Sequence, residues 1–453
     1  MDPLTGVQKS LLSGKRKPEA RENPRPGPIK KVIIMELERV KGTADYSPQE
    51  MVLREEIVST IAKVLNKYGF MPLDTPVLEK WETLTVKSGG GEEIAKETYN
   101  FTDQGGRRLG LRYDLTVPSA RYLAMNPKVP MPFKRYQYGK VFRYQEVKPG
   151  RLREFYQFDA DIYGTESLLA DAECIALATD VFKELGFKSY EIRINNKKLL
   201  QGLMNYAKVK PELVVNAYRA IDKLDKIGVS GVRKELEDKG ISKESVENLL
   251  KIIEIKGGPE ELIKKVEALV PGNEGIKELK ELIKYLKTMN LKNYSIDLSL
   301  VRGLEYYTGS IFEVSAEGLS VSFAGGGRYD KMISQLIGAD IPAVGISFGV
   351  EPIFQTLIKK AGLKITRTQF YLAPISEDQL IEGLKIASQL RAKGLNVEVD
   401  LKNRNLSKNI EFAGKKGIKY LIIVGSKDLK EGKVTLRNLE TGKEEKVKPS
   451  DIS

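Results

Sequence analysis

Three polar residues, Gln157, Asp159 and Asp161, occupy every second position within Phe155–Tyr163. If that run is a strand, all three lie on one face, because successive side chains alternate. The other face carries Tyr156, Phe158, Ala160 and Ile162. An amide and two carboxylates are costly to pack without partners. Their face is therefore solvated or holds a ligand. Arg143, Arg151 and Arg153 stand close by in the chain. Carboxylates and guanidiniums in one place suit a ligand of both signs, such as an amino acid together with a phosphate. The preceding run, Tyr136–Tyr144, is rich in aromatic and β-branched residues, and Pro149-Gly150 supplies a turn. The two runs predict an antiparallel hairpin.

What the chain lacks narrows the chemistry. Its 453 residues include no histidine and a single cysteine, Cys174. The commonest general base and zinc ligand is thus absent. An intramolecular disulfide and a Cys-based metal cluster are excluded. Reactions must run on arginine, carboxylate, tyrosine or the substrate's own groups. A hydrophobic content of 41% and a charged content of 30% fit a soluble globular protein of two or three domains. No apolar run approaches a membrane span, and the basic N-terminus has no apolar signal core, so a cytoplasmic location is expected. The formal charge of +13 favours a polyanionic partner.

Several elements must position the hairpin. Residues 1–33 read as a basic, disordered arm with eight Lys/Arg and three Asp/Glu through Lys31. Ser47-Pro48-Gln49-Glu50 predicts a capped helix start, with Ile57, Ile61, Val64 and Leu65 at helical spacing and Gly69 at its end. The run MPLDTPVLE that follows reads as a strand. Asp114 and Thr116 are two apart and share a face if their run is extended. A helix is expected over Thr165–Gly186 and a strand over Tyr190–Asn195. Charged helical patterns fill about 197–290 and read as an insertion. From Thr366 onward, strands and helices alternate as in a compact α/β domain. Residues 364–453 hold 18 Lys/Arg against 12 Asp/Glu.

Together these segments resemble the class II aminoacyl-tRNA synthetases in their histidyl form. The hairpin FRYQEVKPGRLREFYQFDADIYG is similar to motif 2, and the Ser47 helix with its strand resembles motif 1, which in that family forms the dimer interface. LRYDLT resembles the family's LRPDLT element, with Tyr113 in place of proline. Ser299–Gly309, SLVRGLEYYTG, closely resembles the histidyl signature. Phe323–Asp330 resembles the glycine-rich segment, where glycine would let a flat ligand approach the backbone. Ala343–Phe354 resembles motif 3, except that Pro352 stands where the family has arginine. The C-terminal part is similar to the anticodon-binding domain.

The resemblance implies an α+β fold: a class II antiparallel sheet with flanking helices over 34–362, a helical insertion at about 197–290, and a C-terminal α/β anticodon-binding domain over 364–453. It implies activation of L-histidine by ATP with Mg²⁺, transfer to tRNA(His), and a homodimer. Arg302 and Arg143 would be catalytic. Asp114, Thr116, Gln157, Asp161, Tyr306 and Tyr307 would bind histidine. Arg143, Gln145, Arg151, Phe155 and Arg328 would bind ATP, with Phe155 stacked on adenine. No protein metal ligand is assigned. Pro352 would remove one ATP contact, for which Arg328, Arg151 or Arg121 could compensate. The alternative is a catalytically impaired paralogue that senses histidine or tRNA. A ligase for another amino acid is a weaker reading, which RGLEYYTG argues against.

Overall fold

The computed structural model describes residues 37–85, 95–148, 150–301, 306–317, 321–338, 340–361 and 366–453. Its centre is an eight-stranded sheet. In chain order the strands are β1 Met71–Pro72, β2 Phe133–Phe142, β3 Glu154–Tyr163, β4 Tyr190–Asn196, β5 Tyr294–Ile296, β6 Ser310–Ala316, β7 Ala324–Arg328 and β8 Ala343–Gly349. In space they run β1-β2-β3-β8-β7-β6-β4-β5. All neighbours are antiparallel except the two edge pairs, β1 with β2 and β4 with β5.

The hairpin expected from sequence is β2–β3, paired from Phe133↔Tyr163 to Phe142↔Glu154. Its even-numbered β3 residues Phe158, Ala160 and Ile162 join the main apolar core. That core continues into helices α1 Pro48–Lys67 and α3 Leu168–Glu184 behind the sheet. Helix α1 starts as its sequence demands: Ser47 caps the Glu50 amide, Glu50 returns the bond, and Pro48 sits in the first turn.

Two local expectations are corrected. The run after α1 is not one strand. Met71–Pro72 pairs with β2, whereas Leu78–Lys80 joins a separate three-stranded sheet with Arg108–Leu111 and Asn100–Thr102. Pro72 and Pro76 lack the amide that a continuous ladder needs. Asp114 and Thr116 do not share a strand face either. The strand stops at Leu111, and helix α2 spans Thr116–Met125. Asp114 accepts a 3.1 Å hydrogen bond from the Val117 amide and so caps that helix.

Between Lys197 and Thr288 the chain forms six α-helices: Lys197–Tyr206, Val214–Ile221, Leu224–Asp238, Lys243–Ile253, Pro259–Leu269 and Glu274–Thr288. Their apolar faces share the core behind the large sheet. The C-terminal unit has a five-stranded sheet, ordered Val397–Val399, Phe370–Pro374, Tyr420–Val424, Val434–Asn438 and Glu444–Val447. Its first three strands are parallel, and helices Leu380–Ala392 and Leu406–Lys415 connect them. Leu372, Leu390 and Ile422 form one of its cores, while Tyr371, Leu421 and Ile423 form the other. Among the described residues, no helix is long and apolar enough to cross a membrane.

Candidate active site

A cavity of about 280 Å³ opens on the front of the sheet, opposite α1 and α3. Strand alternation supplies its floor. Gln157, Asp159 and Asp161 of β3 line it, as do Gly325 of β7 and Gly345 and Ser347 of β8. A Cβ at Gly325 would meet nothing closer than 3.9 Å, so β7 offers bare backbone to the cavity. A Cβ at Gly345 would fall 1.9 Å from the Asp161 carboxylate, so only glycine leaves that acid its place. Asp114, Thr116, Tyr306, Tyr307 and Arg143 complete most of the polar lining.

The polar row is partly paired. Ser347 donates to Asp159 Oδ1 at 2.5 Å and accepts from Gln157 Nε2 at 3.2 Å. Gln157 Oε1 is buried and has no hydrogen-bond partner among the described residues. Asp161 forms an ion pair with Arg135 of β2 and accepts from the Tyr329 hydroxyl. Arg135 is fully buried, and its other bonds go to the Leu115 carbonyl and Ser119 at 3.1 and 3.0 Å. Burial pushes the Asp114 carboxyl up to about 6, against the Val117 amide and the Arg143 and Arg135 charges. Burial likewise pushes Asp159 up to about 7, with Arg135 opposing and Asp161 assisting. Burial raises Asp161 too, while the Arg135 guanidinium opposes it. Among the described residues, these carboxylates sit in a lining with one guanidinium, Arg143.

Arg143 marks the other end. Its Nε donates to the Tyr113 carbonyl at 2.9 Å, and its guanidinium lies 5.2 Å from the Phe155 ring centroid. One bond anchors the fork and leaves its other donors for an anion. Phe155 shares the β3 face of Gln157, toward the loop end of the hairpin.

Seven of the eight residues expected to bind histidine or catalyse therefore line one cavity: Asp114, Thr116, Arg143, Gln157, Asp161, Tyr306 and Tyr307. The eighth, Arg302, lies outside the described residues. Of the residues expected to bind ATP, Arg143 lines the cavity and Phe155 stands beside it, while three others are placed elsewhere. Arg151 is exposed on the loop, where its backbone pairs with Lys148. Gln145 spends its amide inside the same loop, donating to the Leu152 carbonyl at 2.7 Å. Arg328 points its side chain behind the sheet, to an ion pair with Asp171 and to the Thr165 and Ser167 carbonyls at 3.0 and 3.1 Å. Alternation along β7 requires this, since Gly325 and Gly327 take the front positions. Arg121, offered as a compensating residue, is likewise engaged, holding Glu79 through Nε and Nη2 at 2.7–2.9 Å.

Arg135, Asp159, Ser347 and Tyr329 were not assigned from sequence. Register is the signal that could have found Arg135. A hairpin folded symmetrically about Lys148–Arg151 would pair Tyr138 with Asp161. The observed register pairs Arg135 with Asp161, because residues 143–153 form a wide loop. Within that loop, the Tyr144 amide leaves the hairpin for the Glu97 carbonyl.

Comparisons with known proteins agree with this architecture. The histidyl-tRNA synthetase family matches residues 42–353, and the anticodon binding domain family matches residues 369–453. A histidine–tRNA ligase 1 of Bacillus cereus is 39% identical over 432 residues, 93% of this chain and 99% of that protein. The histidine–tRNA ligase of Aeropyrum pernix is 41% identical over 413 residues, 89% of this chain and 93% of its own. A histidyl-tRNA synthetase structure from a Nostoc species superposes with a TM-score of 0.81 at 30% identity, covering 91% of this chain and 97% of that one. These relatives do not favour the sensor alternative. The chain belongs to the histidyl-tRNA synthetase family of class II aminoacyl-tRNA ligases.

Proposed function

We propose that the cavity joins histidine to AMP and that the chain then transfers histidine to the 3′ end of tRNA(His). The observation that carries this reading is the polarity of the cavity. Its acceptors, Asp114 and the orphaned Gln157 Oε1, suit an ammonium group. The Arg143 fork suits phosphate. Asp161 of β3 is an acceptor for one imidazole edge, and Tyr307 lines the same cavity beside the ring.

In activation, a substrate carboxylate oxygen attacks the α-phosphorus of ATP, the bond to the bridging oxygen breaks, and pyrophosphate leaves. The carboxylate is already ionised near neutral pH, so no protein base is needed. The step needs positive charge at the α-phosphate. Arg143 supplies it, and by family resemblance Arg302 supplies it between carboxylate and phosphate. Mg²⁺ bound to ATP would help to neutralise the phosphate charge. In transfer, a phosphate oxygen of the adenylate takes the ribose proton, which agrees with a chain that has no histidine.

The C-terminal unit, with 18 Lys/Arg against 12 Asp/Glu over 364–453, would hold the anticodon end of tRNA. The exposed apolar side chains Met71, Leu78 and Phe101, on the motif 1 strand and the small sheet, suit a surface covered by a second copy in a cytoplasmic homodimer. Amino-acid-dependent ATP–pyrophosphate exchange tests the reading. Histidine alone among the standard amino acids should drive exchange. Exchange with a different amino acid, or with none, would reject it.

A further inference from the structure

Among the described residues, the charges around the cavity do not balance. Its described lining holds four carboxylates, on Glu97, Asp114, Asp159 and Asp161, and one guanidinium, Arg143. Asp161 already has a cation, because Arg135 lies directly across the β2–β3 register. Asp114 faces the ammonium site, and Arg143 faces the phosphate. Asp159 remains. It is 3% exposed, and among the described residues its hydrogen bond comes from Ser347, to Oδ1 alone. Around it stand Asp161 on its own strand and Ser347 across β8, with Gln137 opposite on β2. Arg135 and Arg112 act on it at longer range, as do Asp114, Tyr306 and Tyr307. No cation touches it among these groups.

Resting on the histidine-activation reading, we infer that Asp159 reads the imidazole together with Asp161, and that the site binds the substrate ring with one extra proton held between Asp159 and a ring nitrogen. A neutral imidazole has one N–H and one lone pair. Asp161 can accept from the N–H. A second carboxylate beside the ring can meet the lone pair only if a proton lies between them. Whether that proton is written on the ring or on the acid, the bound state carries one proton more than free imidazole plus free carboxylate. The proton comes from solvent. The raised affinity of buried Asp159 for a proton, up to about 7, has the same sense. This arrangement adds specificity: a ring nitrogen of low basicity cannot share the proton, and a side chain without that nitrogen leaves a buried carboxyl unpaired.

Calorimetry on the full chain tests the inference. L-Histidine is titrated at about pH 8 in buffers of differing ionisation enthalpy. Uptake of close to one proton is expected, with Kd rising up to about tenfold per pH unit above pH 7. Asp159→Asn should abolish most of that uptake and flatten the pH dependence of KM for histidine, while KM for ATP stays near its original value. Independently of any variant, 1,2,4-triazolylalanine, whose ring is weakly basic, should bind the unaltered protein at least about tenfold more weakly than histidine. Near-zero uptake, uptake undiminished in Asp159→Asn, or equal binding of the triazole would overturn the inference. If histidine drives exchange but binds without proton uptake, only this inference fails. If histidine neither binds nor drives exchange, the proposed function fails with it.

Discussion

Among the described residues, buried charges behind the central sheet meet counter-charges, as Asp161 meets Arg135 in front, but other polar groups of the front face do not. Behind the sheet, Arg328 meets Asp171, two carbonyls and Asp330, and Arg54 clasps Glu351 through both nitrogens at 2.9 and 2.5 Å. Tyr46 and Phe354 sandwich that guanidinium at 3.7 and 4.2 Å. In front, Asp159 has a single serine, Gln157 keeps an unused acceptor, and Arg143 has one backbone bond. A buried polar group that is fully paired holds structure. One that is left partly paired costs stability until something else completes it. The difference separates framework from site more sharply than residue type does, since arginine and aspartate serve both.

The largest expected effect lies behind the sheet. Arg328→Ala leaves Asp171 buried without its cation, and breaking a buried pair in this way costs about 3–5 kcal/mol. A strongly lowered unfolding temperature is expected, while KM for ATP in whatever protein stays folded changes little. Unchanged stability with a selective rise in KM for ATP would return Arg328 to the site and blur the two faces. Next comes the front. Arg143→Ala removes a group that is anchored by one bond, so the fold should stand. Histidine-dependent exchange should fall about 10²–10³-fold, as when one preorganised donor to developing charge is lost. Circular dichroism and exchange rate together check this. A destabilised variant that keeps its turnover would contradict the contrast.

Much of this contrast is legible in the sequence, and the parts that are not have physical causes. Period-two polarity in Phe155–Tyr163 exposes the front face, because a strand of alternating character has one packed and one unpacked side. The Ser47–Glu50 cap and the alternating strands and helices after Thr366 can be read directly, because capping and periodicity are local. What sequence misplaces is non-local. Arg328 looks like a ligand of phosphate until β7 is placed against α3, and only then does its side of the strand matter. Asp114–Thr116 is instead a local miss, since the Asp114 bond to the Val117 amide marks a helix start within three residues. Arg135 and Ser347 matter through strand pairing, across a loop whose Tyr144 amide bonds Glu97 in another segment.

The smallest expected effect is at Pro352, where both faces meet. It is the third residue of the helix Val350–Ala361, a first-turn position where the amide has no intrahelical partner to lose. Its neighbour Glu351 belongs to the rear cluster with Arg54 and Tyr46. The family's arginine at this position is absent, and two of its three possible replacements, Arg328 and Arg121, are held elsewhere by Asp171 and Glu79. Arg151, exposed on the hairpin loop, is the one left to reach ATP. Pro352→Arg should therefore leave stability almost unchanged and lower KM for ATP about fivefold. That is the equivalent of roughly 1 kcal/mol, the value of a solvent-exposed charge pair. Selectivity for histidine should not move, because the residues proposed to read the imidazole do not include position 352. Arg151→Ala should raise KM for ATP in the natural chain and matter less in the Pro352→Arg background, which a double-mutant cycle would read directly. If the natural protein instead shows no histidine-dependent exchange at saturating ATP, and the arginine variant does, Pro352 has turned a ligase framework into a binding protein.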